Sequence, residues 1–461
     1  VRTFEILILV TLFVRFVGYS FPSIRKSNWI DFIPSLAMLL TLIHLVLEKY
    51  RWQMLPVYGL SVFLFLLSLS RIKQGSRPTD KRKSRRILAI SGFLFRLAIF
   101  ACVAALPILV PVFRLPEPTG QHPVGTTKLY LVDDTRPEIF SSDPDDHREF
   151  MAQIWYPAQV EPGAKLAPLM EHMPFFQFSH LSLVQTHAYQ DVPVSNAQPP
   201  YPVLIFSHGH VGFIEQNLTQ MEELASHGYI VCSIAHPYHT IATVFPDRHV
   251  VPADSVLANN FLKGISPTQD IYAEHLRIWT DDTLFLINEL ERIQVGERES
   301  LFVGKLDMAR LGIFGQSFGG VTAVQVCMID DRCRAGISLD SGLPSDYAGQ
   351  AINSLLKQPF MFMLNEGMAY SRSRILGTLD NPVYVVTVRG TKHFNFTDLY
   401  LYSPVLKYTK AFGPIDGSRM VKIINSYTLA FFDEYFKGGK SHLLDGPSPY
   451  YPEVTIDMQN L

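Results

Sequence analysis

The sequence predicts an α/β fold with a mostly parallel central sheet, preceded by a group of membrane-length helices. Three observations carry that expectation. Short β-rich runs alternate with helical patterns from about residue 127 onward, several of those runs are apolar at every position, and four apolar stretches crowd the first 115 residues. A strand that is apolar throughout is one buried on both faces, as in a sheet covered by helices on each side. Strands alternating with helices are the pattern that builds such a sheet.

The apolar stretches at the start are residues 4–19, 32–47, 53–70 and 97–113. Each approaches the roughly 17–25 residues that a spanning helix needs. They predict four spans in a transmembrane region over residues 1–115, the first of them short and interrupted by Arg15. Trp29, Tyr50 and Trp52 lie at the ends of the runs, where amphipathic rings favour the interface. A cleaved signal peptide is the competing reading of the first run, but no small-residue cleavage site follows it and further apolar runs do. His44 stands alone in an apolar span, too little to define an ion path.

Residues 71–86, "RIKQGSRPTDKRKSRR", carry eight basic residues and one acid between the third and fourth runs. By the positive-inside rule that loop stays in the cytoplasm. A loop that simply binds anionic headgroups would sit on the same side. Arg25 and Lys26, two crossings away, fall there too. Everything after the fourth span is then expected on the extracytoplasmic side, in a multi-pass membrane protein.

"RLPEPTGQHPVGTT", starting at Arg114, is rich in Pro and Gly and reads as a linker. Residues 116–461 are expected to form one catalytic domain. The charge divides accordingly: residues 1–115 hold 16 basic and 4 acidic residues, and the remainder holds 24 and 38. An acidic catalytic part argues against nucleic acid as a partner, because phosphate backbones need clustered Lys and Arg. Cys102, Cys232, Cys327 and Cys333 show neither CxxC spacing nor a disulfide-rich framework. They read as buried free thiols, with a Cys327–Cys333 bridge as the minor reading.

In chain order the candidate strands are residues 127–133, 150–157, 202–208, 229–235, 309–315, 335–340, 359–365 and 381–388, the first pair antiparallel. Among the helices, 280–293 places Leu284, Ile287, Leu290 and Ile293 on one face. Ligands in such folds sit beyond the carboxyl ends of the strands, which directs attention to the residues just after each one.

Gly315-Gln316-Ser317-Phe318-Gly319 fits G-x-S-x-G between a strand and the helical "FGGVTAVQVCMI". Glycines on both flanks suit a strained turn where a Cβ would collide with its neighbours. A serine hydroxyl is a poor nucleophile until a base takes its proton. Only His393 and His442 follow Ser317; His442 lies in a polar tail, whereas His393 comes directly after the strand 381–388. For the orienting acid, position alone leaves Asp340 and Glu366 both open, each following a strand, while Asp330 and Asp331 look like surface charges. Oxyanion donors are expected from the backbone N–H of Phe318 and from the loop "FSHGHVGF", where the N–H of His210 is the candidate. His208 and His210, without a carboxylate or Cys cluster, do not make a zinc site, and no cofactor motif is present.

"FSHGHVG", "ELASHGYIV", "GQSFGGVTAVQV", "RCRAGISLDSG" and "VTVRGTKHFNFTDL" occur in the order and spacing of one family. From about residue 120 to 440 the chain resembles the platelet-activating factor acetylhydrolase family of α/β-hydrolases, the plasma and type II lineage. The resemblance implies Ser317, Asp340 and His393 as the catalytic triad, resolving the acid toward Asp340, with oxyanion donors at Phe318 and His210. Gln316, where histidine is common, and His210, where an apolar residue is common, are departures beside the acyl pocket. The implied activity is hydrolysis of a short acyl ester, acetyl or oxidatively truncated, on a phospholipid. A general carboxylesterase for small esters or polyesters keeps the same chemistry. A non-catalytic lipid-binding scaffold is the alternative from another class.

Overall fold

The computed structural model describes residues 2–21, 24, 27–74, 86–171, 174–348, 356–378 and 382–459. The basic loop therefore lies largely outside the described residues. The chain divides into two compact units. One comprises Val1–Arg114 with Phe175–Val184 and Tyr402–Val405; the other comprises Leu115–Pro174, Gln185–Leu401 and Leu406–Leu461.

The first unit is helical. The four apolar runs form α1 (Thr3–Gly18), α2 (Ile33–Leu47), α3 (Leu55–Gln74) and α4 (Arg86–Leu109). Among the described residues three stretches are long and apolar enough to cross a membrane: Trp29–Leu47, Trp52–Arg71 and Ile90–Leu109. The expected first span falls short, since 16 residues of α1 reach only about 24 Å against a hydrocarbon thickness of about 30 Å. Ile8, Leu12, Ala37, Met54, Val57 and Ala104 pack as its core. A buried polar knot sits beside them: the Arg51 guanidinium donates to both oxygens of Glu5 (2.6 and 2.8 Å), and His44 Nε2 lies 2.9 Å from the Tyr58 hydroxyl. His44 is thus part of a cluster, not solitary. Two later segments join this unit: Trp52 Nε1 donates to Gln177 C=O at 3.2 Å and its ring meets Phe176, while Phe113 stacks on Tyr402 and Ser403 Oγ donates to Leu109 C=O.

The second unit is built on strands β1 (Val124–Pro137), β2 (His147–Pro157), β3 (Leu166–Pro168), β4 (Gln185–Gln190), β5 (Tyr201–Ser207), β6 (Ile230–Ile234), β7 (Ala242–Val244), β8 (Val250–Pro252), β9 (Leu306–Gln316), β10 (Cys333–Leu339), β11 (Phe360–Asn365), β12 (Val383–Val388) and β13 (Val454–Gln459). Eleven of them form one sheet in the order β13-β12-β11-β10-β9-β5-β6-β2-β1-β4-β3, with β7 and β8 as a separate hairpin. The run from β12 to β6 is parallel; β2 and β13 join its two ends antiparallel, and β1 pairs antiparallel with β2. All eight expected strands are present. The fully apolar ones are buried along their whole length, β5 and β6 at every position.

Helices cover the sheet: α5 (Leu218–Ser226), α6 (Ser255–Lys263), α7 (Gln269–Gln294), α8 (Phe318–Ile329), α9 (Pro344–Ala348), α10 (Ala369–Thr378) and α11 (Gly417–Lys437). On α7, Leu286, Ile287, Leu290 and Ile293 enter the core with Ile205 and Ile313 of the central strands, and Leu284 packs at its margin. Burying each such side chain contributes roughly 1.5–3 kcal/mol. One expectation about the thiols is corrected: Cys327 near the end of α8 is bonded to Cys333 at the start of β10, Cys102 is exposed, and only Cys232 is a buried free thiol. The turn after α8 folds the chain straight back onto β10 and brings the two sulfurs together.

Candidate active site

Pairing register brings the ends of the parallel strands to one edge. Ser207 of β5 lies opposite Gly315 of β9, Gln316 opposite Leu339 of β10, and Asn365 of β11 opposite Val388 of β12. The residues that follow these positions share that edge, and among them are Ser317, Asp340 and, five residues beyond β12, His393.

Ser317 sits between β9 and α8 with φ 55° and ψ −122°, a conformation costly for any residue with a Cβ. Its N–H donates to Leu339 C=O at 2.8 Å, which ties the turn to the neighbouring strand. The flanking glycines allow the approach: a Cβ on Gly319 would stand 2.0 Å from the Ser207 carbonyl oxygen, and one on Gly315 would stand 2.3 Å from the Gly319 backbone.

His393 Nε2 lies 2.9 Å from Ser317 Oγ, and His393 Nδ1 lies 2.7 Å from Asp340 Oδ2. An ionised carboxylate only accepts, so Nδ1 carries the hydrogen and the Nε2 lone pair faces the serine hydroxyl. Asp340 is buried, while the His393 side chain is 42% exposed and open to solvent. Glu366, the other candidate acid, accepts from Gly390 N–H at 3.3 Å instead, and His442 is an exposed partner of Asp445. Asp330 pairs with Arg332 and Asp331 with Lys357.

Two further residues complete this array: Asn365, which the sequence did not single out, and Gln316, which it marked only as a departure beside the acyl pocket. Asn365 donates to Asp340 Oδ1 from its backbone N–H and from Nδ2, both at 2.8 Å, fixing the carboxylate that faces His393. Gln316 Oε1 accepts from Gln216 Nε2 at 3.0 Å, which sets its amide near His393 Nε2 at 3.4 Å.

The loop after β5 lies over the serine turn: a Cβ on Gly209 would be 2.7 Å from Gln316 Oε1 and 3.3 Å from Ser317 Cβ. Within it Gly212 N–H closes a turn on Gly209 C=O, and Val211 adopts φ 55°. The His210 ring stacks flat on Phe318, with centroids 3.9 Å apart, and its Nε2 lies 3.3 Å from His275 Nδ1. Burial, helped by the adjacent His275, pushes the His210 imidazole well below its ordinary range, so the ring is neutral. His208 serves elsewhere, its ring nitrogens facing Gly209 C=O and Thr240 Oγ1.

A second Ser–His–Asp chain lies within the same unit. Ser207 Oγ is 2.8 Å from His236 Nε2, and His236 Nδ1 is 2.9 Å from Asp282 Oδ2. All three side chains are 1% exposed or less. Burial alone would raise the Asp282 carboxyl, but Arg148, donating to both oxygens, and His236 hold it well below the usual carboxylate range. Ser207 ends a regular strand and Trp279 stacks on the His236 ring at 4.1 Å. With its charge neutralised and its serine enclosed, this chain braces the base of the 208–212 loop. The exposed imidazole and the strained serine belong to the other one.

Fold and site together define a carboxylic ester hydrolase of the α/β-hydrolase type. The family described as platelet-activating factor acetylhydrolase, isoform II, matches residues 109–442, and the chain belongs to it. Among its relatives, the platelet-activating factor acetylhydrolase of Canis lupus familiaris is 25% identical over 391 residues, covering 78% of this chain and 85% of that one. The Bos taurus enzyme of the same name is 28% identical over 255 residues, covering 51% and 57%. A probable 1-alkyl-2-acetylglycerophosphocholine esterase of Arthroderma benhamiae is 24% identical over 284 residues, covering 55% and 66%. Among solved structures, a ferulic acid esterase from Streptomyces cinnamoneus superposes with a TM-score of 0.63 at 24% identity, covering 75% of this chain and 99% of that one, a likeness of fold.

Proposed function

We propose that the chain is a serine esterase that removes a short sn-2 acyl group from phospholipids resembling platelet-activating factor. Ser317 is the nucleophile, His393 the general base and Asp340 the group that orients and stabilises the imidazole. The observation that carries this reading is the unbroken hydrogen-bond chain from Ser317 Oγ through His393 to Asp340, on a serine held at φ 55°.

His393 Nε2 takes the hydroxyl proton as Ser317 Oγ attacks the ester carbonyl. The amides of Phe318 and His210 receive the negative charge on the carbonyl oxygen; one such donor typically contributes about 2.7–4 kcal/mol. Collapse expels the alcohol, protonated by His393, and the same imidazole then activates water to release the acid. A lysophospholipid leaving group follows from the substrates named for the relatives. A small acyl group suits the aromatic layer of Phe318, His210 and Tyr272 beside the serine.

In this reading α2, α3 and α4 hold the enzyme at a lipid surface, and the basic 71–86 loop retains the cytoplasmic side, leaving the hydrolase unit outside. The Cys327–Cys333 bond supports that side, because disulfides persist in oxidising compartments. The test is labelling by a fluorophosphonate probe with an acyl-length series. Wild type should be labelled, Ser317→Ala should not, and 2-acetyl phospholipid should be cleaved faster than its long-chain analogue. Cleavage of p-nitrophenyl acetate without cleavage of the acetyl lipid would replace this substrate with small soluble esters.

A further inference from the structure

At one end of the helical unit three guanidinium groups share a cavity of about 140 Å³. Arg15 of α1, Arg71 of α3 and Arg96 of α4 line it, with Tyr19, Phe16 and Leu67 supplying the apolar wall. Arg15 is 6% exposed, and its Nε and Nη1 have no hydrogen-bond acceptor among the described residues. Its acidic neighbour among the described residues, Asp31, stands 3.8 Å from Nη2, beyond hydrogen-bond reach. Arg15 and Arg71 both lie over the Tyr19 ring, at 4.2 and 5.1 Å from its centroid. Arg96 donates to Ser20 Oγ at 2.9 Å, an uncharged partner.

Three positive charges around one small space, answered among the described residues by one loosely placed carboxylate, are unfavourable in a region of low dielectric. An anion with several acceptor oxygens would satisfy the unused N–H groups and cancel the repulsion, and a phosphate matches the guanidinium fork. The surroundings indicate what would carry it. Arg71 closes the apolar stretch Trp52–Arg71, the depth at which headgroups begin, and Phe63 of α3 and Phe95 of α4 are exposed. We infer that this cavity binds the phosphate of an anionic phospholipid, with its acyl chains along α3 and α4. The inference rests on the reading that these helices lie in a bilayer; it is independent of the esterase site.

The test uses the full chain in detergent, with native mass spectrometry and tryptophan fluorescence reporting binding of dioctanoyl phosphatidic acid, dioctanoyl phosphatidylcholine and inorganic phosphate. Wild type should prefer phosphatidic acid to phosphatidylcholine by roughly tenfold or more, and Arg71→Gln with Arg96→Gln should remove that preference. Hydrolysis of p-nitrophenyl acetate should stay unchanged in the same variant, so that misfolding is not mistaken for lost binding. Arg15→Gln, at the buried position, should act alike wherever it folds. Equal affinity of wild type for the two lipids, or full retention of phosphatidic acid by the double variant, overturns the proposal. Half-saturation by inorganic phosphate at concentrations as low as those of the lipid overturns the lipid as source and assigns the cavity to the free anion. Release of the protein from membranes by alkaline carbonate would defeat the bilayer reading, whereas the detergent titration is read without it.

Discussion

Replacing Asp340 with Asn tests the proposed triad most directly. In the native array Asn365 donates to Asp340 Oδ1 from two hydrogens, and His393 Nδ1 faces Oδ2 at 2.7 Å. An amide at position 340 would turn its oxygen toward the Asn365 donors and its NH2 toward His393. Nδ1 would then have to accept, Nε2 would carry the hydrogen, and the base would be lost before the reaction starts. The charge is lost as well. Once His393 becomes a cation, its charge centre lies about 4 Å from the carboxylate, worth about 4 kcal/mol at an effective dielectric near 20. Solvent around the half-exposed ring reduces this, and the wrong tautomer adds to it. A net loss of about 4–5 kcal/mol corresponds to a fall in kcat of roughly 10³–10⁴-fold at 1.36 kcal/mol per decade. The assay is p-nitrophenyl acetate turnover at neutral pH, with circular dichroism to show that the fold persists. A loss smaller than tenfold, or a larger loss from Glu366→Gln, would refute the assignment.

Ser207→Ala should leave probe labelling of Ser317 intact while lowering stability by about 1–3 kcal/mol, because the buried His236 Nε2 loses its partner; thermal denaturation and labelling read the two effects separately. Asp398, buried in the segment after His393 and accepting from Thr219 N–H and Oγ1 in the first turn of α5, has its carboxyl pushed up to about 7 by burial. The folded chain then keeps a proton that the unfolded chain releases near its ordinary value, so stability falls as pH rises between about 4 and 7. Asp398→Asn should flatten that slope in melting temperature against pH; an unchanged slope would refute the raised carboxyl. Cys333→Ser opens a short loop and should cost roughly 2 kcal/mol, measured by denaturant unfolding, with little change in turnover.

Ser317 and His393, the proposed nucleophile and base, were legible as candidates because each stands beside a strand end that its own sequence marks, one by flanking glycines and the other by a preceding apolar run. The proposed acid was not legible from position. Asp340 and Glu366 both follow strands, and what separates them is the rotation of the chain after β10, where Asp340 takes φ 54°. Asn365 left no signal, since a polar residue ending a strand is ordinary. Ser207, His236 and Asp282 were invisible for a related reason: their spacing fits no motif, and Arg148 in β2 reads as a surface charge until Asp282 and Glu138 are seen to surround it. β3, β4 and β13, toward the two margins of the sheet, are partly polar or very short, so hydrophobic periodicity did not reveal them. The helical start was readable as apolar runs, but the length of α1 and the clustering of His44 with Glu5 and Tyr58 depend on packing between runs.

The helical unit draws two of its pieces from far downstream, Phe175–Val184 and Tyr402–Val405. Trimming the protein at residue 115 would therefore strip Phe176 of Trp52, and Tyr402 of Phe113. Such a fragment would carry two sticky scars of its own. Its solubility and lipid affinity would report on those wounds rather than on the intact enzyme, so biochemistry on this chain is best done with the helical unit left in place.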